Sequence, residues 1–251
     1  MDKVESLGRM VDAFSTDFGR RLNMPTLGSE LLNAAEIHAE KRGFGITDIT
    51  ERGCSWVLSR LTVEMESMPL MFTPYIIDTW IESVYRMFTN RNFQIRGEDG
   101  RVYGYARTVW ALIDNALRQP QDLIRVYGEK YQSFSYPEKP CLIAPCSRIR
   151  PMKEAVPFHR LKAVYSDIDH NGHVNSIRYI GHICDLFDMD FYRTHRIQRL
   201  DVAYVAETYA GDELSFCMDE ISDGVFAVEV RKGINADTTV VRAMVTFQPY
   251  S

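Results

Sequence analysis

Residues 167–175 read DIDHNGHVN, which gathers two carboxylates, two imidazoles and two amides immediately before a run with helical spacing. A helix starting here presents unpaired N–H groups and a partial positive charge at its N-terminus. Such a terminus suits an oxyanion, or a carbonyl oxygen about to become one. Asp169 and His173, four residues apart, flank that entry and can do acid–base work there. Other readings compete. Asp167 and Asn175 are also good helix caps. Asp169, His170 and His173 form part of a metal set, but zinc needs a further ligand from elsewhere. His170 reads as a solvated loop residue, and His38, His159, His182 and His195 as packing or surface histidines. A further carboxylate, Glu207, closes the alternating run RLDVAYVAE (199–207).

The elements that must position these groups follow from periodicity. HRLKAVYS (159–166) reads as a strand leading into the motif, and 174–188 as a helix with Ile177, Ile180, Cys184 and Phe187 on one face. Strand-like runs follow at 199–207, 213–220, 225–233 and 239–248. The same order occurs earlier in the chain. A helix over 26–43 carries Leu27, Leu31, Ala34, Ala35 and His38 on one face, with Gly43 as its stop. Strands are predicted at 55–66, 75–86, 89–100 and 102–114. Each half is thus a helix followed by an antiparallel meander whose apolar face needs cover, and the helix supplies it. The expected class is α+β, a tandem (double) hotdog in which a curved antiparallel sheet wraps each long helix. The boundaries are 1–118 for the first hotdog, 119–158 for a proline-rich linker and 159–251 for the second.

Aligning the halves puts Asp17 opposite Asp169, Gly19 opposite Asn171, Arg21 opposite His173 and Asn23 opposite Asn175. The match of RLTVEMESM (60–68) with RLDVAYVAE (199–207) puts Met68 opposite Glu207. The second half therefore holds reactive groups that the first lacks.

Composition narrows the classes. With 251 residues, 45% of them hydrophobic, and a net charge of -5, the chain can bury a sizeable core and is poorly suited to binding nucleic acid. The cysteines at 54, 141, 146, 184 and 217 lack metal-site spacing and suggest a reducing compartment. The start, MDKVESLGRM, has no apolar core of a signal peptide, and no run approaches a membrane span, so a cytoplasmic protein is expected.

The residues resemble the acyl-acyl carrier protein thioesterases of plants and bacteria. That family's D-x-N-x-H motif, followed by V-N and a helix, is matched by Asp169, Asn171, His173, Val174 and Asn175, and the match continues through Tyr179-Ile180-Gly181. A second motif, L-x-Y-x-x-E-C, is matched by residues 202–208, with Thr208 where the family often has Cys. WVLSRLTVEME (56–66), DTW (78–80) and ARTVWALID (106–114) also fit. The resemblance implies hydrolysis of a fatty acyl thioester on acyl carrier protein, as part of fatty acid biosynthesis. It implies no cofactor and no metal. A short start without a plastid transit peptide favours a bacterial member.

By that resemblance Asp169, Asn171, His173 and Glu207 are the catalytic set. We expect Glu207 to act as general base beside Asn171, His173 to polarise the nucleophile or orient the thioester, and Asp169 to fix the imidazole. Amides near Val174 and Asn175 are the expected oxyanion donors. The acyl chain is expected in the first hotdog, along Leu31, Leu32, Ala35, Met65, Met68, Trp80 and Trp110. Acyl carrier protein is acidic, so Arg148, Arg150 and Lys153, with Arg160, Lys162 and Arg178, are the expected docking patch. Two hotdogs in one chain fit a monomer as well as a homodimer. The competing functions are an acyl-CoA thioesterase, a non-catalytic acyl-binding regulator and a hotdog dehydratase.

Overall fold

Asn23 begins the first long helix: its Oδ1 accepts the Thr26 N–H at 2.8 Å, and a proline follows in the first turn. The helix, α1, spans Met24–Glu40 and buries Leu27, Leu31, Ala34, Ala35 and His38, the apolar stripe expected from its spacing. The computed structural model describes residues 2–152, 156–233 and 235–250. The chain divides after Pro145 into two compact units.

In the first unit the strands are β1 (Val4–Met10), β2 (Cys54–Met65), β3 (Pro74–Val84), β4 (Thr89–Gly97) and β5 (Val102–Asp114). They form an antiparallel sheet in the order β1-β3-β4-β5-β2 that packs on α1. A short helix, α2 (Ile46–Glu51), precedes β2. The segment expected to begin a linker is instead built onto this unit. Gln119–Pro120 (β6) pairs with β5, and α3 (Leu123–Tyr127) and α4 (Glu129–Ser133) follow. The reason is apolar: Leu123, Tyr131 and Phe134 bury against Ala39, Phe44, Ile81 and Leu112.

The second unit repeats the scheme. β7 (His159–Lys162) leads through a single turn of 3-10 helix, Tyr165–Asp167, towards the helix α5 (Ser176–Cys184). A short α6 (Met189–Thr194) follows, then β8 (His195–Tyr204), β9 (Glu213–Ser222), β10 (Val225–Lys232) and β11 (Thr238–Pro249). The antiparallel order is β7-β9-β10-β11-β8. α5 is shorter than its expected 174–188 span. Asp188 starts a new helix by accepting the Phe191 N–H at 2.7 Å. The turn lets Phe187 meet Phe247 at 4.6 Å and Phe226 at 5.0 Å between ring centres. Ile177, Tyr179, Ile180 and Ile183 of α5 join Val202, Phe216, Val228, Val230, Val241 and Val245 among the buried residues. Each unit is a hotdog, and no helix among the described residues is long and apolar enough to cross a membrane.

Candidate active site

The loop entering α5 is a closed backbone structure. The Asp169 N–H donates to the His173 carbonyl at 2.8 Å, and Asp169 Oδ1 accepts the N–H groups of Asn171 (2.8 Å) and His173 (3.2 Å). Gly172 takes the left-handed conformation that this tight return needs (φ +80°). The loop entering α1 is built the same way. Asp17 N–H donates to Arg21 O at 2.7 Å, Asp17 Oδ1 accepts from Gly19 and Arg21, and Arg20 has φ +59°. Backbone bridges join Thr16 to Leu22 and Ile168 to Val174, an offset of 152 in both strands of the bridge. Arg21 bridges Leu70 as His173 bridges Tyr209, which keeps 152 on one side and sets 139 on the other. The same 139 puts Met68 in the place of Glu207, so the alignment of the halves is a structural equivalence.

His173 and Glu207 meet across this bridge, with His173 Nε2 3.6 Å from Glu207 Oε2 and both side chains about one quarter exposed. Glu207 lies beyond the end of β8, in the connection to β9, and not in a strand through residue 207. The pairing stops because the N–H groups of Val205 and Ala206 converge on one carbonyl, that of Val240. Sequence reasoning missed Tyr209. Its hydroxyl donates to Glu207 Oε2 at 3.1 Å, and its ring meets the His173 imidazole edge-on at 5.1 Å. The two-residue spacing from Glu207 in an extended segment was the available signal. Lys232 fixes the same connection: its ammonium donates to the Glu207 carbonyl at 2.6 Å. Tyr209 thus acts on the Glu207 carboxylate and Lys232 on its main-chain carbonyl, while the carboxylate faces the imidazole.

The other expected site residues are placed differently. Asp169 holds loop backbone, and among the described residues it makes no hydrogen bond to the His173 ring. Asn171 is exposed at the loop tip, and no hydrogen bond among the described residues ties its side chain to Glu207. The amides of Val174 and Asn175, expected as oxyanion donors, are already engaged. Val174 N–H donates to Thr208 O and Asn175 N–H to Asp167 O, both at 2.8 Å. Asn175 is instead the cap of α5, its Oδ1 accepting the Ile177 N–H at 2.8 Å. The next amide, that of Ser176, opens the helix and has no intrahelical acceptor. Thr208 is 1% exposed and lies between two residues that both reach His173. In an extended segment that parity turns it to the opposite side.

Asp167, read from sequence as a helix cap, is the anchor of the loop. Its side chain is 2% exposed; Oδ1 accepts from Arg178 Nε at 3.1 Å and lies 3.1 Å from His182 Nε2, while Oδ2 accepts the Val164 N–H at 2.9 Å. Burial pushes its carboxyl up, but the Val164 amide, Arg178 and His182 outweigh burial and hold it below the usual carboxylate range.

In the first unit a cleft partly open to solvent is lined by Leu32, Ala35, Phe44, Trp56, Trp110 and Tyr131 among others. Leu31, Met65 and Trp80 are sealed in the core at 0% exposure, so they do not line it. Met68 lies in the β2–β3 connection, also away from the cleft lining. Arg148, Arg150, Arg160 and Lys162 are exposed, and Lys153 lies outside the described residues. Among the described residues no group of three or more His, Cys, Asp or Glu side chains has the geometry to hold a metal ion.

Comparison with known proteins bears on this geometry. A family model described as the acyl-ACP thioesterase N-terminal domain matches residues 10–131, and one described as the C-terminal domain matches residues 151–249. An oleoyl-acyl carrier protein thioesterase from Arabidopsis thaliana is 25% identical over 92% of this chain and 66% of its own length. A second oleoyl-acyl carrier protein thioesterase from that plant is 25% identical over 81% of this chain and 60% of its own length. The chain thus spans about two thirds or less of these plant relatives. The crystal structure of an acyl-ACP thioesterase from Bacteroides thetaiotaomicron is 46% identical, covers 98% of each chain and superposes with a TM-score of 0.88. A 12:0-ACP thioesterase from Umbellularia californica shares the fold at a TM-score of 0.88 with 17% identity, covering 100% of this chain and 99% of its own.

Proposed function

The chain belongs to the acyl-ACP thioesterase family, and from that premise we propose that it hydrolyses the thioester of fatty acyl-acyl carrier protein, releasing fatty acid and carrier protein. The approach of His173 Nε2 to Glu207 Oε2, at 3.6 Å on the face where Tyr209 also bonds the carboxylate, carries the reading.

Water attacks the acyl carbon, and Glu207 with His173 takes its proton as the C–O bond forms. The tetrahedral intermediate places negative charge on the former carbonyl oxygen. The Ser176 amide at the positive end of α5 is our candidate donor to it, in place of Val174 and Asn175. Collapse breaks the C–S bond. A thiol has a pKa of about 8.5, so the thiolate leaves with little help from an acid. Tyr209 orients the carboxylate, and Asp169 and Asn171 shape the loop that carries His173. The cleft of the first unit is our site for the acyl chain, and exposed Arg148 and Arg150 are our docking site for the acidic carrier. A soluble cytoplasmic setting fits this role.

The test is single-turnover hydrolysis in heavy-oxygen water with wild type, His173→Ala and Glu207→Ala. Each variant should lose at least about a hundredfold in turnover, the scale of a positioned acid or base. Label should enter the fatty acid and not the enzyme. Label in Glu207 would replace direct water attack by an acyl-enzyme anhydride. Wild-type turnover in both variants would reject the site.

A further inference from the structure

Arginines with little exposure in this protein face carboxylates. Arg42 meets Glu5, Arg96 meets Asp78, Arg107 meets Glu82, Arg199 meets Asp201 and Arg231 meets Glu229, all within 3.2 Å. Arg91 breaks the rule. It stands on β4, is 5% exposed and lines the first-unit cleft. Among the described residues it makes no ion pair, and its guanidinium donates to one acceptor, Thr79 Oγ1 at 3.2 Å. Five donors on a fixed charge therefore face a largely apolar cleft with one neutral hydroxyl in reach.

Among the described residues no carboxylate pairs with it directly. His38, packed close by on α1, is driven down to about 2 by burial and by the positive charges of Arg91 and Arg42, so it is neutral at physiological pH. Glu36 lines the same cleft, and its charge favours the charged guanidinium without making an ion pair with it; its Oε1 accepts the Ile46 N–H at 2.6 Å. Burial lowers Arg91 itself to about 10, which leaves it charged at neutral pH. Hydroxyls continue the polar strip. Thr108 Oγ1 accepts the Trp110 indole N–H at 2.9 Å, and Thr89 and Tyr131 line the cleft beyond. An unpaired charge in such a place is costly, and a ligand oxygen would offset the cost.

We propose that the cleft selects an acyl chain bearing an oxygen acceptor in its part remote from the thioester, and that Arg91 donates to that oxygen, a terminal carboxylate being the best partner. The proposal rests on the thioesterase reading. That reading assigns the acyl chain to the first-unit cleft, which Arg91 lines.

The experiment compares kcat/KM for three carrier-protein thioesters of equal chain length, one plain, one ω-hydroxy and one ω-carboxy, in wild type, Arg91→Met and Arg91→Lys. The readout is the ratio of oxygenated to plain substrate, in which any general effect on the enzyme cancels. Wild type should favour the ω-carboxy chain by at least about tenfold, the scale of one charge-assisted hydrogen bond, mainly through KM. Arg91→Met should abolish or invert the ratio, and Arg91→Lys should restore part of it. A wild-type preference for the plain chain, or a ratio that Arg91→Met leaves intact, overturns the proposal. If Arg91→Met does not fold, wild-type thermal shifts with a free dicarboxylic acid and a monocarboxylic acid of equal length decide. The diacid should stabilise more, and an equal or smaller shift overturns the proposal. The same shifts are informative if wild type cleaves none of the thioesters, an outcome that would reject the thioesterase reading alone.

Discussion

Asp17 and Asp169 accept the same pair of backbone N–H groups in two matching loops, yet Asp17 also pairs with the Arg21 guanidinium at 3.2 Å and only the second loop carries an imidazole. The role of Asp169 is therefore to shape the backbone that presents His173. An asparagine can accept the same two N–H groups through its side-chain oxygen. Asp169→Asn should keep turnover within about tenfold of wild type, whereas an acid that fixes a histidine tautomer costs about 10⁴ when converted to its amide. Asp169→Ala should lose turnover and melting temperature together. A loss near 10⁴ in Asp169→Asn, measured with the melting temperature unchanged, would assign the acid to the ring.

Thr208 occupies the position of the Cys in the L-x-Y-x-x-E-C motif that the sequence resembles. It is buried on the side opposite Glu207 and Tyr209. Thr208→Cys should leave kcat/KM within about twofold of wild type and change stability by less than about 1.5 kcal/mol, the range of a well-tolerated core swap. Thiol-reactive inhibitors should act on the variant no faster than on wild type. Rapid inactivation of the variant with loss of turnover would show that the thiol does reach the site.

Arg148 and Arg150 are exposed and, among the described residues, make no ion pair. Reversing both charges should raise KM for a carrier-protein substrate while leaving KM for the matching CoA thioester nearly unchanged. The effect should shrink with added salt, because exposed charges are screened. Equal changes for both carriers would place docking elsewhere.

Asp167 links acid sensitivity to the site. Its carboxyl lies below the usual carboxylate range in the folded chain, so the stability it contributes is complete above that range and lost as pH falls through the lowered value. Asp167→Asn should cost on the order of 2 kcal/mol near neutrality. That is less than an enclosed pair would lose, because Arg178 stays half exposed and is readily hydrated. The variant's stability should also fall less steeply on acidification below pH 5, as read from chemical denaturation across pH. An identical pH slope in both proteins would refute the linkage.

The architecture was legible because its pattern is local. The apolar stripe of α1 and the alternating strands bury what their spacing says they should. The first strand was missed because Val4–Met10 is an edge strand that buries Leu7 and little else, so it carries no alternation. α3 and α4 escaped notice because prolines surround them and their stability comes from Phe44 and Ile81, far away in sequence. At the site, residue types pointed to His173 and Glu207, but hydrogen-bond partners were invisible. The amides of Val174 and Asn175 are consumed by Thr208 and Asp167, and the importance of Asp167 arises only when Arg178 and His182 come round the helix to meet it. Arg91 lies inside the predicted strand 89–100, and nothing in its local sequence singles it out. Its burial is a property of the fold.

The matched loops are stitched by Asp, Asn and main-chain groups, none of which is the imidazole or the carboxylate that would react. The loop is thus a socket that holds different fittings: Arg21 and Leu70 sit in one copy, His173 and Tyr209 in the other, on equivalent backbone bridges. Reactivity here is a removable insert, and the first half is a natural blank against which any rebuilt version of the second can be measured.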